Sequence, residues 1–160
     1  GSPNQVTRGF YGAHGAKSTI YEGGTHVPLV VSGPGVASGR TEGFATTSDL
    51  FATIAGLAGV EVNMTDSYDL QPLLKGDAGD RDYIYVEHFS NQPATRVDVF
   101  GWAMRVGAYK LLHAEGQAAE LYNLVDDPRE YVNLLADGIS NDEAAVMSEI
   151  EQRASELRGN

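Results

Sequence analysis

Cysteine is absent from the 160 residues. The sequence therefore offers no disulfide, no thiolate metal ligand and no thiol nucleophile. Long apolar runs are absent too. The longest, VPLVV at 27–31, contains a proline and falls far short of the roughly 18 residues that span a bilayer. No membrane span is expected. Basic residues are scarce, 11 Lys and Arg against 22 Asp and Glu, for a net charge of −11. Nucleic acid needs a basic footprint, so it is not an expected partner. The chain does not open on Met and shows no signal peptide. Neither fact assigns a compartment.

What is present is globular in character: 42% hydrophobic and 21% charged residues, with enough length for one domain and a real core. The acidity is uneven. Residues 1–60 hold three bases (Arg8, Lys17, Arg40) and three acids (Glu22, Glu42, Asp49), while 61–160 hold 19 acids against 8 bases. An anionic substrate must therefore be captured by local groups near the front, against the field of the whole chain.

Residues 1–16 carry four glycines with Pro3 and Asn4, the composition of an irregular loop. Residues 27–31 are β-branched and apolar and stop at Ser32-Gly33-Pro34-Gly35, which predicts a buried strand closed by a turn. Leu50, Phe51, Ile54, Ala55 and Leu57 recur at helical spacing, with Thr47 or Ser48 to cap the start and Gly59 after the end. A short helical turn is predicted at 70–74. YIYVEHF (83–89) reads as a strand. Residues 102–114 alternate about Gly107-Ala108, which predicts a hairpin. ELYNL (120–124) is a short strand or turn, closed by Asp126-Asp127-Pro128, which reads as a capped turn. Ser140 and Glu143 are spaced as a capping box for a last helix with Met147, Ile150, Ala154 and Leu157 on one stripe.

His14-Gly15-Ala16-Lys17 places an imidazole and an ammonium in a glycine-rich loop. A lysine there is either a solvated surface charge or a point charge for an oxyanion. The longer string GAKSTIYEGGTHVPLVVSGPG (15–35) resembles the sulfatase signature: Lys17, Tyr21, Glu22-Gly23-Gly24, Val27-Pro28, an apolar strand and Pro34-Gly35. SDLFATIAGLAG (48–59), DSYDLQPLLKG (66–76), MRVGAYKLLH (104–113) and ELYNLVDDPREYVNL (120–134) resemble later sulfatase segments in the same order.

The resemblance implies an α/β (α+β) fold. Residues 1–78 would form the C-terminal portion of a mixed-sheet catalytic domain, and 79–160 a small antiparallel sheet with a packed terminal helix. Strand 27–31 would be an edge lacking its native neighbours. The implied activity is sulfuric-ester hydrolysis, with a small-molecule or carbohydrate sulfate ester as substrate and a periplasmic or secreted location. Lys17 would hold the substrate sulfate and act in catalysis. His14 would contact sulfate or protonate the leaving alcohol, or else be a loop histidine hydrogen-bonded to backbone. His26 would pack beside the loop, and Glu22 would be a buried structural carboxylate rather than a general base.

The family's formylglycine motif, Cys/Ser-x-Pro-Ser/Ala-Arg, and its paired ligands for calcium are missing from this sequence. The resemblance thus implies a stretch that starts after most of the catalytic apparatus and is inactive by itself. Two alternatives stand beside it. One is a phosphodiesterase or phosphonate hydrolase of the same alkaline-phosphatase-like superfamily. The other is a non-catalytic carbohydrate-binding module with Tyr83, Tyr85, Trp102 and Tyr109 as a stacking face.

Overall fold

The structure is a computed structural model that describes residues 14, 19–89 and 99–159. It divides into two compact units, one comprising Gly1–Val27 with Tyr85–Asn160, the other Pro28–Ile84. The segment around Glu22 thus belongs to the unit of the rear sheet.

That sheet is four-stranded, in the order β1 (Tyr83–Phe89), β2 (Val99–Val106), β3 (Tyr109–Ala114) and β4 (Glu120–Asn123). β2 and β3 form the expected antiparallel hairpin, with Val106 opposite Tyr109 and Met104 opposite Leu111. Its two-residue turn begins at Gly107, whose φ of 55° an L side chain rarely adopts. β4 pairs antiparallel to β3, Leu121 facing Leu111.

Facing partners share one side of a sheet. Trp102, Met104, Leu111 and Leu121 therefore line one face; Ala103, Leu112 and Tyr122 line the other. Both are buried, so the alternation read from 102–114 does not separate a wet face from a dry one. A helix covers the first face. Ile20 and Leu124 join Ala103, Leu112 and Tyr122 on the second, with Tyr21 and Val86 against them.

The covering helix, Asn141–Arg158, starts as its sequence foretold. The Ser140 hydroxyl accepts from Glu143 N, and the Glu143 carboxylate accepts from Ser140 N at 2.8 Å. Ile150 and Ala154 are buried while Leu157 is half out. Gly159, at φ 71°, ends it.

Among the described residues three further helices lie earlier in the chain: α1 (Glu22–Thr25), α2 (Asp49–Leu57) and α3 (Gln71–Lys75), the terminal helix being α4. Ser48 does precede α2, but its side chain makes no capping bond. Its hydroxyl donates instead to the Asp66 carbonyl, 2.8 Å away. Asp49 takes the amide of Thr46 at 2.7 Å.

One expectation is corrected here. Residues 27–31 form no strand, and Val27, Leu29, Val30 and Val31 are exposed. A strand needs a partner for its N–H and C=O groups, and no described strand pairs with these residues. The apolar stripe of α2 is also turned outward: Phe51, Ile54 and Leu57 are exposed, while Asp49, Ala52 and Thr53 are buried.

Candidate functional site

Lys17 lies outside the described residues. His14 is described, and so is everything from Thr19 onward through the signature string. The site can therefore be followed from its flanks.

Tyr21 leads into α1. Its hydroxyl donates to Glu120 Oε2 at 2.8 Å, and the Tyr122 hydroxyl donates to the same oxygen at 2.8 Å. Burial pushes both phenols up, and the Glu120 carboxylate adds to the shift. Both tyrosines are therefore fixed hydrogen-bond donors, not bases. The His14 ring stacks on Tyr21 with centroids 4.0 Å apart. Its Nε2 is 2.8 Å from the Glu130 carbonyl. A carbonyl only accepts, so Nε2 carries the proton of that bond. His14 thus makes a backbone hydrogen bond of the kind expected for a loop histidine.

Glu22 opens α1 and is buried. Its Oε1 lies 2.9 Å from Lys110 Nζ. Glu130 Oε1 lies 2.9 Å from the same ammonium, off-line for a hydrogen bond but within ion-pair reach. The other oxygen of Glu130 accepts from Glu22 N at 2.5 Å. Lys110 and Glu130 side chains are 3% and 1% exposed. Charges this deep persist only when paired. Burial pushes the Glu130 carboxyl up; Lys110 and the Glu22 amide oppose the rise without cancelling it. Glu22 thus proves to be the structural carboxylate that its motif implied. His26 Nδ1 sits 3.0 Å from Glu22 Oε2, with a side chain 70% exposed.

Glu130 is also the only non-glycine residue at positive φ among the described residues, at 59°. That backbone costs an L residue on the order of 1 kcal/mol. The turn that imposes it runs from β4. Asp127 N donates to Asn123 O at 2.8 Å, Glu130 N to Asp127 O at 3.2 Å, and Val132 N to the Asp127 carboxylate at 2.8 Å. Asp126 accepts from Asn123 Nδ2 at 2.7 Å. The Asp126-Asp127-Pro128 stretch is the capped turn predicted for it.

Sequence reasoning missed Lys110, Glu120 and Glu130. One signal was available. Period-two placement puts Lys110 on the same face as Leu112, and a lysine on a buried strand face demands a carboxylate partner. The partner's identity depends on residues 88 and 20 positions away and had no local mark.

Pro28–Ile84 has its own polar centre. Asp49 is fully buried and accepts from Arg81 Nε at 3.0 Å, Arg81 Nη2 at 2.6 Å, Tyr68 N at 2.9 Å and Thr46 N at 2.7 Å. Burial works to raise its pKa, but Arg81 with the two amides outweighs it and holds the carboxyl below its ordinary value. Arg81 also lies over the Tyr68 ring at 4.4 Å.

The suggested aromatic face is not built for a sugar at its centre. Trp102 is 8% exposed, stacked on His113 at 4.6 Å and approached by Arg158 of α4 at 5.9 Å. The arrangement around α1 offers ion pairs and hydrogen bonds that fix a loop. Among the described residues no three His, Asp or Glu side chains converge to hold a metal ion.

Over residues 9–160 the sequence matches the family described as N-sulphoglucosamine sulphohydrolase, C-terminal. Human arylsulfatase A is 32% identical, the match covering 85% of this chain and 31% of that protein. A solved 2-O GAG sulfatase superposes with a TM-score of 0.63 at 27% identity, over 79% of this chain and 28% of its own. The phosphonate monoester hydrolase of Agrobacterium radiobacter superposes with a TM-score of 0.57 at 26% identity, over 74% of this chain and 26% of its own. The chain spans less than a third of the length of each of these relatives.

Proposed function

This chain belongs to the sulfatase family, of which it carries the C-terminal region, and from that premise we propose that it serves a sulfuric-ester hydrolase by holding the substrate sulfate through Lys17. The match over 9–160 carries the reading. It contains the whole string from Lys17 to Gly35. Glu22 is taken up by Lys110 and His26 lies beside Glu22, so both serve the loop's own architecture. The exposed apolar side of α2 fits a stretch that is part of a larger enzyme.

The chemistry asked of Lys17 is electrostatic. Negative charge builds on the leaving oxygen as the S–O bond breaks, and a fixed ammonium beside the sulfuryl oxygens stabilises that change. Among the described residues packed at α1, the carboxylates Glu22, Glu120 and Glu130 outnumber the single ammonium of Lys110. A sulfate must be drawn by Lys17 and by groups outside this chain. Formylglycine and calcium are the nucleophile and cation of the proposed enzyme, supplied from outside this chain, which by itself is not expected to turn over a substrate. His14 is proposed to contact the substrate with the part of its ring that the Glu130 carbonyl does not engage. The proposed substrates are small-molecule or carbohydrate sulfate esters, in keeping with relatives named for aryl and glycosaminoglycan sulfates.

A second reading, a phosphonate hydrolase, rests on the Agrobacterium radiobacter neighbour. Sulfate and phosphonate esters share tetrahedral oxyanion geometry, and a lysine suits both. The test is turnover of an aryl sulfate against an aryl phosphonate by the full-length protein containing this chain. Aryl sulfate should be the better substrate. Lys17→Ala should lower its kcat/KM by on the order of 100-fold or more, with little change in Tm. Unchanged turnover ends the assignment of Lys17.

A further inference from the structure

We propose that Asn63 is an acceptor for N-linked glycosylation, a modification site independent of the assignment of Lys17. Asn63-Met64-Thr65 has the asparagine, the non-proline residue and the threonine that oligosaccharyl transfer requires. The spacing has a physical reason. An asparagine side chain reaches the residue two positions on in an Asx-turn, which brings its carboxamide beside the threonine hydroxyl. A proline between them would restrict the asparagine to extended backbone. Of the seven asparagines in the chain, Asn63 is the only one followed two residues later by serine or threonine.

The structure leaves this asparagine open to an enzyme. It lies between α2 and α3, outside helix and strand, and Asn63, Met64 and Thr65 are all exposed. The segment is tied down at both ends. Val60 N donates to Ala55 O at 2.9 Å. The Ser48 hydroxyl donates to Asp66 O at 2.8 Å, and Ala52 N donates to the Ser67 hydroxyl at 3.0 Å. Between these anchors, among the described residues, neither the Asn63 carboxamide nor the Thr65 hydroxyl has a hydrogen-bond partner. Other asparagines are engaged in their own turns. Asn123 Nδ2 donates to Asp126 at 2.7 Å, and Asn133 Oδ1 accepts from Leu121 N at 3.1 Å and Leu135 N at 3.0 Å.

The donor is a polyprenyl-pyrophosphate-linked oligosaccharide, and the catalyst is an oligosaccharyltransferase. Asn63 Nδ2 forms a bond to the anomeric carbon of the first sugar. The bond from that carbon to the pyrophosphate oxygen breaks, and the polyprenyl pyrophosphate leaves with the electron pair. Nδ2 gives up one proton to a base of the transferase. The product is a secondary amide bearing a bulky, hydrophilic glycan, which keeps the loop around Asn63 in solvent in the full-length protein.

The test passes the full-length protein containing this chain through the secretory pathway of a eukaryotic cell. The recovered protein is treated with peptide N-glycosidase and its peptides are read by mass spectrometry. The glycosidase leaves aspartate where a glycan stood, so position 63 should read as aspartate after treatment and as a glycosylated asparagine before it. Thr65→Ser preserves the acceptor pattern and should preserve the conversion. Thr65→Ala and Asn63→Gln should abolish it. Both side chains are exposed and unbonded, so all three variants should keep the wild-type Tm and aryl sulfate turnover. A bare Asn63 in the wild-type protein overturns the proposal. So does conversion at position 63 without the glycosidase, or conversion that survives Thr65→Ala. Turnover by Lys17→Ala bears only on the assignment of Lys17 and leaves that of Asn63 untouched.

Discussion

The two compact units solve burial in opposite ways. The unit of the sheet buries its large apolar side chains completely, Met104, Leu111, Leu121 and Ile150 all at 0% exposure, and places an ammonium between two carboxylates in the same interior. Pro28–Ile84 does the reverse. Its buried centre holds a carboxylate and a guanidinium, with Leu70 and Leu73 also buried, while Phe51, Ile54 and Leu57 face outward. Leu73 is packed so closely on Gly43 and Gly79 that a β-carbon on either would collide with it. The difference teaches that helical periodicity marks an apolar stripe without saying whether its cover lies in the same stretch of chain.

The sharpest way to break this comparison is to truncate one core of each kind in the 160-residue chain. Leu111→Ala should cost about 3–5 kcal/mol in a denaturant titration, as a buried leucine does in a packed core. Arg81→Met should cost about 3 kcal/mol, because it strands the Asp49 carboxylate in a buried site. Hydrogen exchange should show that loss in α2 and leave β2 and β3 protected. If both variants unfold the same amides, the units are not separable.

Acid provides a third probe. The folded-state pKa of Asp49 is depressed below its ordinary 3.8. Its ionised form thus contributes stability that is fully present above that value and lost as pH falls through the folded-state value. The stability gap between wild type and Asp49→Asn should be widest near neutrality and narrow below pH 3.8. A gap that widens in acid would reverse the sign. Smaller effects complete the series. Ser140→Ala should cost about 1 kcal/mol by removing the cap of α4. Ile54→Ser should stay within about 0.5 kcal/mol, since the side chain is already 64% exposed. A larger loss would show that the outer side of α2 is covered after all.

Legibility followed the range of each interaction. The α4 capping box, the turn at Gly107, the hairpin and the Asp126-Asp127 turn depend on residues within a few positions of one another, and all were readable. The partners of Glu22 were not. Lys110 and Glu130 stand 88 and 108 residues on, and nothing near either one says that they meet. Asp49 was counted as one of three front acids, while Arg81 carried no mark at all. The string from Lys17 to Gly35 identified the family without its geometry. The run 27–31 was legible as apolar, but the buried strand read from it does not form.

By itself the sequence determined the local elements, the acidic balance and membership of the sulfatase family, because caps, turns and motif spacing are short-range properties. Only the tertiary structure decided which carboxylates were buried, that Glu130 bonds both His14 and Glu22, and that the stripe of α2 faces outward. Those outcomes depend on where distant segments come to rest, since burial and ion pairing are set by what packs against a side chain and not by its neighbours in sequence.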